Sequence, residues 1–560
     1  MGRREDVQQR IRLTHVDDLS VVNSALAEIA LDRAVVGAAT FTRVSVTERI
    51  DFRRGTLMEG MEFNKVESVG AVTLDRSTTK GPLRFTGCVF REDVTFAKAT
   101  FQAPMVLTDG AFDGKLSLDA VTALAPIAIE RSKTGGEVSF DSGTYHHGLR
   151  LTRLEATSAV RFVDAHLLSP FLVEDSTFSG PLTLDRLRST GRVEVRDVTF
   201  EDAVSFHSGS YADAVVFHNV EFQREVTFDS AEFGGPVTFR DVRFLGPVSF
   251  RGARFGDRLR FEHVRFDGAV DFDIEVRHLA LVNTTFAVQA SLVLGNADVV
   301  VERSRFAAPV TLDSRSTCRI RSLAGTDATN LTLAMVDLGV CALSDVYNLD
   351  KLRVEAAAFP EAPHRLRFSR RWPWVLKRSK RRIVAEEAMV RARSAPADWA
   401  PLLQGFSAPA RPVYANDVAR VYRQLRKARE DAKDEPNAAD FYYGEMEMRR
   451  RATPRHSAEG LILRLYWLTS GYGLRGLRSV ACLVVLLLVC ATLMNRFGFA
   501  DPHTWPASVV HVADAATKLV GASSSDRLTG WGTALQVVVR LAGPVLLGLA
   551  ILSVRGRAKR

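Results

Sequence analysis

Between residues 200 and 272 an aromatic side chain falls at 200, 206, 211, 217, 222, 228, 233, 239, 244, 250, 255, 261, 266 and 272, alternating steps of six and five. Every one is phenylalanine except Tyr211. A helix of 3.6 residues per turn drifts off such a ladder within two turns, so this stretch is not helical. Two residues before each aromatic stands another apolar or small residue, as in Val226–Phe228, Ala231–Phe233, Val237–Phe239 and Val242–Phe244. An i, i+2 pair places both side chains on one face of a short extended segment. The chain therefore turns a corner every five or six residues and repeats the same short side many times, the pattern of a solenoid.

The repeat unit is eleven residues. Stepping back by eleven from Phe206 meets Val195, Leu184, Val173, Phe162, Leu151, Phe140, Ile129, Leu118, Leu107, Phe96, Phe85, Leu74, Phe63 and Phe52, all apolar. The intermediate positions are patchier. After Phe272 the register slips and resumes around Leu281, Phe286, Leu292, Phe306 and Leu312. Two units make a four-sided coil, and stacked coils lie about 4.8 Å apart, so some 290 residues predict about thirteen coils and a rod about 60 Å long. A three-sided helix is the rival geometry, but eleven divides more naturally into two sides. The expected core includes Phe206, Phe217, Phe228, Phe239, Phe250 and Phe261, in a solenoid over 36–335 behind a mixed helical cap at 1–35.

The stretch FQREVTFDSAEFGGPVTFRDVRFLGPVSFRGARF (222–255) resembles the phenylalanine-rich, degenerate branch of the pentapeptide-repeat superfamily. The resemblance implies a right-handed quadrilateral β-helix, an all-β solenoid, over about residues 40–335. Strict five-residue repeats make shorter coils, so the extra residue on alternate sides predicts wider or bulged corners. A strict Ala-Asp/Asn-Leu consensus is absent.

At 560 residues, 46% of them hydrophobic, the chain is long enough for several domains. Its formal charge of +9 is unevenly spread. Arg365, Arg367, Arg370, Arg371, Lys377, Arg378, Lys380, Arg381 and Arg382 crowd the region after the solenoid. Such a cluster reads as a solvated face or as attraction to anionic lipid headgroups, because apolar segments follow. Nucleic acid is not expected as a partner, since no recognised reading module accompanies the charge. The cysteines (Cys88, Cys318, Cys341, Cys482, Cys490) are scattered, which argues against a disulfide framework and fits a reducing compartment. His146-His147 lies at an expected corner without a nearby third ligand, so it is read as solvent-facing rather than as a metal site. MGRREDVQQR is followed by no hydrophobic run and is not read as a secretory signal.

Residues 336–475 read as a helical linker carrying the basic patch. In DVARVYRQLRKAREDAKD (417–434), Val418, Val421, Tyr422, Leu425 and Ala428 recur at helical spacing, with Asp417 or Asn416 as the expected cap. Pro436 interrupts, and AADFYYGEMEMRR (438–450) continues as the second arm of a hairpin. Glu445 and Glu447 stand two apart on that arm and do not face each other, so they are read as salt-bridged or exposed, not as a catalytic pair.

The transmembrane region is expected over 476–560. SVACLVVLLLVCATLMN (479–495) carries no charge and is flanked by Arg475, Arg478 and Arg496. It is close to the lower limit for crossing about 30 Å of hydrocarbon. The expected spans are 479–496 and 533–554, the second kinked at Gly543-Pro544, with a short surface-lying or re-entrant helix at 505–521 between them. Basic outer flanks place both termini and the solenoid in the cytoplasm, against the inner membrane of a cell. Within the segment, Arg540, Asp514 and Lys518 are the candidate functional residues: Arg540 either snorkels or pairs with Asp514 or Asp526 at an interface or pore. Gly543, Gly548 and Ala550 offer small surfaces for helix packing and a homo-oligomer.

AADFYYGEMEMRR, LYWLTSGYG and LTGWGTALQVVVRLAGPVLLGLAILSVRGRAKR resemble the C-terminal segments of actinobacterial pentapeptide-repeat membrane proteins, themselves distantly similar to the two-transmembrane potassium-channel pore unit. A potassium filter needs a Thr-Val-Gly-Tyr-Gly-like run. KLVGASSSDRLTG (518–530) stands in its place, and SGYG at 470–473 precedes the first span. No phosphate loop, metal-ligand cluster or nucleophile constellation is present, so neither catalytic, cofactor-binding nor metal residues are assigned. The expected function is a membrane-anchored cytoplasmic scaffold or sensor that contacts membrane lipids and binds a protein partner. The alternative is a channel-like transport protein. Mimicry of DNA is disfavoured, because the corners alternate Arg with Asp and Glu (Arg240, Asp241, Arg243).

Overall fold

The structure, a computed structural model, describes residues 9–363, 381–406, 411–454, 456–517 and 527–558. The chain divides into two compact units, residues 1–341 with 345–358, and 342–344 with 359–560.

The first unit is a parallel β-solenoid of about sixteen turns. From Glu67 to Glu174 each short strand pairs with the strand four further on, which makes the cross-section four-sided. Through the middle of the array the coil holds two eleven-residue units, so Val215 pairs with Val237 and Phe217 with Phe239. The slip after Phe272 has a simple cause. There the coil shortens by two residues: Val270 pairs with Ala290, and Phe286 with Phe306. A coil of that shorter length also opens the array, where His15 pairs with Val35.

The two corners of each eleven-residue unit are built differently. From Arg43 to His263 a residue in the left-handed region recurs every eleven residues without a miss, at φ between 48° and 67°. It falls within the five-residue step, as at Ser230 between Phe228 and Phe233. A left-handed conformation costs a non-glycine residue roughly 1–2 kcal/mol. What offsets it is a backbone bond to the next coil, as from Arg54 N–H to the Asp75 carbonyl at 2.9 Å and from Lys98 N–H to Asp119 at 2.8 Å. The six-residue corner absorbs its extra residue by close approach instead. A Cβ on Gly246 would lie 2.3 Å from the Arg224 carbonyl of the coil beneath, so only glycine fits there unchanged.

Inside, the ladder becomes four aromatic columns. Phe206, Phe228, Phe250 and Phe272 stack at 4.6–4.7 Å, and Phe217, Phe239 and Phe261 at 4.7 and 4.9 Å. Neighbouring columns meet edge to face, as at Phe228–Phe239 (5.8 Å), the geometry that ring quadrupoles favour. All six phenylalanines expected in the core are buried, and so is the whole eleven-residue series back to Phe52. The patchy positions are buried as well. Ser68 and Thr134 lie in the column of Phe90 and Phe112, and Thr79 and Ser189 in that of Phe101 and Tyr211. Ser68 and Ser189 turn their hydroxyls to the Gly70 and Gly191 carbonyls at 2.7 and 2.9 Å.

Outside, charged residues pair between adjacent coils: Arg84–Glu62 at 2.9 Å, Arg131–Asp109 at 2.8 Å, Arg186–Asp164 at 2.7 Å and Arg240–Glu262 at 3.0 Å. Solvent screens these pairs, so they add little stability. They do interleave the two signs along the corners. His146 and His147 are exposed at a corner.

Two boundaries move. Residues 9–12, 15–22 and 25–30 are strands of the solenoid, so the helical cap expected before residue 36 is not found among the described residues. The short-coil register carries the fold back to Gln9, the first described residue. At the other end strands continue through Arg353–Glu355, past the expected limit of 335, because Thr332 and Leu333 still find partners in Arg353 and Val354.

Cys88, Cys318 and Cys341 are buried in this unit. Burial pushes the Cys88 thiol up to about 11 and, with Asp298 nearby, the Cys318 thiol up to about 12. A water-soluble maleimide should therefore leave all three unlabelled in the native protein and label them after denaturation, as read by peptide mass spectrometry.

The second unit is helical. Its helices are α1 (Ala385–Ala392), α2 (Pro396–Trp399), α3 (Ala415–Asp431), α4 (Glu435–Ala452), α5 (Ala458–Ser470), α6 (Gly476–Leu493), α7 (Trp505–Thr517) and α8 (Gly530–Ala558). α3 and α4 form the expected hairpin. Tyr414, not Asn416 or Asp417, is the N-cap of α3; Asp417 sits one turn in and accepts the Tyr414 N–H at 3.2 Å. Pro436 opens α4 rather than breaking a helix, because the first turn needs no N–H from it.

Candidate functional site

α6 with the π-turn that follows it (Gly476–Gly498) and α8 as far as Ile551 are long and apolar enough to cross a membrane, with mean hydropathies of 2.5 and 2.0. Their outer faces are bare hydrocarbon: Val485 is 59% exposed, Leu541 68% and Val545 61%. Among the described residues an inner seam is buried, where Cys490, Ala491 and Met494 of the first segment meet Val512, Ala515 and Ala516 of α7 and Val539 of α8. α7 is thus packed against both long helices. Gly543 makes that packing tight, since a Cβ there would come within 2.9 Å of Ala516. This small surface is used inside the chain, whereas nothing approaches a Cβ built at Gly548 among the described residues. Ala550 is buried.

α8 runs unbroken through Pro544. Proline has no N–H to give to the carbonyl four residues earlier, which belongs to Arg540. Arg540 is half-buried in α8, and its Nε has no hydrogen-bond partner among the described residues. Asp514 is exposed on α7, and among the described residues no ion pair joins it to Arg540. Lys518 and Asp526 lie outside the described residues, as does most of the 518–530 stretch that replaces a filter.

What is brought together was not read from the sequence. A chain of buried charges and rings runs from α1 through α4 to α6. The Glu387 carboxylate, wholly buried, accepts from Arg381 at 2.5 Å, from Arg391 at 2.6 Å and from the Tyr422 hydroxyl. Burial alone would raise its pKa, but the Arg381 and Arg391 charges and the Tyr422 hydrogen bond outweigh it and hold the carboxyl below its ordinary range. Arg391 also reaches Glu447 at 3.2 Å, and Glu447 in turn holds Arg450 at 3.0 Å. Arg450 donates to the Tyr472 hydroxyl at 3.0 Å and lies 4.8 Å over the Trp467 ring. The guanidinium of Arg478, on α6, lies 5.1 Å from the same ring and donates to the Trp467 carbonyl at 3.1 Å.

Two expectations are resolved accordingly. Glu445 and Glu447 are salt-bridged but not exposed, Glu445 pairing with Arg423 at 3.0 Å and Arg426 at 3.4 Å. Arg381, assigned to a solvated or lipid-facing basic cluster, is instead buried against Glu387; residues 365–380 of that cluster lie outside the described residues. The SGYG motif has a structural role. Gly471, Tyr472 and Gly473 all take positive φ (54°, 62°, 76°) and turn the chain from α5 into α6, burying the Tyr472 ring. The signal for the buried chain was the density of Arg, Tyr and Trp on α4 and α5, which periodicity alone does not distinguish from surface charge.

Among the described residues no group of three His, Cys, Asp or Glu side chains is placed to hold a metal. Residues 228–273 match the family described as Pentapeptide repeats (9 copies), within the cleanest part of the aromatic ladder. No curated protein and no solved structure matches the chain.

Proposed function

We propose that this chain is a membrane-anchored scaffold whose solenoid, held in the cytoplasm, presents a binding face to a protein partner. The observation that carries the anchor is the exposed hydrocarbon on the outer faces of the two long helices, which water would not tolerate over such an area. Arg475 and Arg478 before the first span and RGRAKR after the second supply the positive flanks that favour the cytoplasmic side. For the partner, the solenoid offers a groove of about 620 Å³ where its coils change length, with Arg277, His278, Asp298 and Arg319 on its walls. Mixed charge on a rigid face suits an extended peptide segment better than it suits a nucleic acid.

Full-length protein is expected to stay with membranes through alkaline carbonate washing, while a truncation ending at Arg475 is released. A reporter fused after Arg560 should be active only on the cytoplasmic side. Release of the full-length chain, or a reporter active only outside, overturns the anchor or its orientation. For the partner, a photo-crosslinking residue at Met335, 58% exposed beside the groove, should give an adduct of defined mass that Arg319→Glu abolishes. An adduct indifferent to Arg319 removes the groove from the reading.

A further inference from the structure

α5 is short, yet Leu461, Ile462, Leu465 and Leu468 are 58%, 64%, 51% and 57% exposed. Their spacing of one, three and three residues puts them on a single stripe of the helix. Ser457 caps α5, accepting the Gly460 N–H at 3.0 Å, and Gly471 ends it in a left-handed turn. The helix is thus well formed while its apolar face is left exposed among the described residues. That face continues into a wedge of about 930 Å³ between α5, α6 and α8, walled by Ile462, Leu465, Cys482, Val485, Val489 and Val545. Among the described residues the wall is hydrocarbon apart from the Tyr466 ring, Thr469, the Cys482 thiol and one charge, Arg478.

Arg478 differs from the arginines behind it. Arg391, Arg423, Arg426, Arg449 and Arg450 all have carboxylate partners. Arg478 has none among the described residues; it lies on the Trp467 ring and spends a single Nη1 donor on the Trp467 carbonyl. A guanidinium carries five N–H donors, so most of its fork remains to be filled. Arg475, one turn earlier, likewise has no carboxylate partner among the described residues and stacks on Tyr443.

We propose that the wedge is a binding site for one anionic glycerophospholipid, with an acyl chain between α5, α6 and α8 and the headgroup phosphate on Arg478. The inference rests on the membrane reading of α6 and α8. Two observations select this occupant. The wedge is continuous with the lipid-facing surface of the long helices, so hydrocarbon enters it from the bilayer. Arg478, the single cation on its wall among the described residues, with an open planar fork and no carboxylate there, matches phosphate bidentately. A second copy of the chain is a poorer fit, because self-association through this face would set Arg478 toward its own counterpart in an apolar surrounding.

The test uses the full chain in nanodiscs of phosphatidylcholine alone or mixed with phosphatidylglycerol, transferred to detergent and read by native mass spectrometry. One phosphatidylglycerol is expected to remain bound in preference to phosphatidylcholine. Arg478→Gln should weaken its retention about tenfold, the scale of one hydrogen bond to a charged group. Val545→Trp, which fills the wedge, should lose both lipids while the protein stays resistant to carbonate. Equal retention of the two lipids, or retention indifferent to Arg478→Gln, overturns the site and leaves the anchor standing. A dimer that cross-links through Leu465→Cys also overturns it, in favour of a second copy. Release of the wild-type chain by carbonate overturns the anchor and the site together.

Discussion

Phe239→Asp should cut the solenoid in two. Phe239 is wholly buried, stacked 4.7 Å from Phe217 and 4.9 Å from Phe261, with the edges of Phe228, Phe244 and Phe250 around it. Deleting a buried phenylalanine ring costs about 3–5 kcal/mol, and a carboxylate left without a partner in its place costs several more. In a globular core that loss is spread over the whole domain. Here each coil touches only its neighbours, so the loss falls on the coils between Phe217 and Phe261 and the outer coils keep their own contacts. Limited proteolysis should therefore give new cuts around residue 239 flanked by two protected fragments. Hydrogen exchange should show the same gap. Unchanged protection across 217–261 would contradict the stacked core.

Glu387→Ala should be the most damaging single change in the helical unit. It leaves Arg381 and Arg391, whose side chains are 10% and 12% exposed, without the carboxylate that both contact. Breaking a buried pair by removing one partner costs about 3–5 kcal/mol, whereas replacing both partners with apolar groups is often close to neutral. Glu387→Met with Arg381→Met should therefore recover part of what Glu387→Ala loses, and Arg391 keeps Glu447. The pH dependence has a definite sign. The Glu387 carboxyl titrates below its ordinary value of 4.5 in the folded protein, so its contribution is fully present above that value. It is lost as pH falls through the lower, folded value. Exchange protection of α3 and α4 should fall in this acid range for the wild type and be insensitive to it in Glu387→Gln. An identical acid profile in the two proteins would mean that this carboxylate does not carry the linkage.

The solenoid was legible because a repeat states its own geometry many times. Phe206 to Phe272 disclose the side length, the face and the stacking partner at once, and no residue elsewhere in the chain is needed to complete them. The register slip after Phe272 was visible, but its cause was not: the change to a shorter coil is a statement about which strands pair, and Val270 with Ala290 meet only in the folded chain. The same holds for Thr79 and Thr134, polar residues in two buried columns, whose places are fixed by the coils above and below them. At the N-terminus the shorter coils lack the phenylalanines that announce the rest, and the helical reading of residues 1–35 failed for that reason.

The two apolar segments were equally plain, since hydropathy is additive along a single helix. Arg540, Asp514 and Lys518 drew attention as charges in an apolar setting, but whether charges meet depends on how α7 and α8 pack. Sequence by itself thus determined the β-solenoid, the helical hairpin and the membrane-length helices, because each is a periodic pattern read within one element. Tertiary structure alone decided that Arg381 and Glu387 are buried together, that Gly543 serves α7, and that the leucines of α5 face outward beside Arg478. Those facts depend on contacts between elements far apart in the chain, and local periodicity carries no term for them.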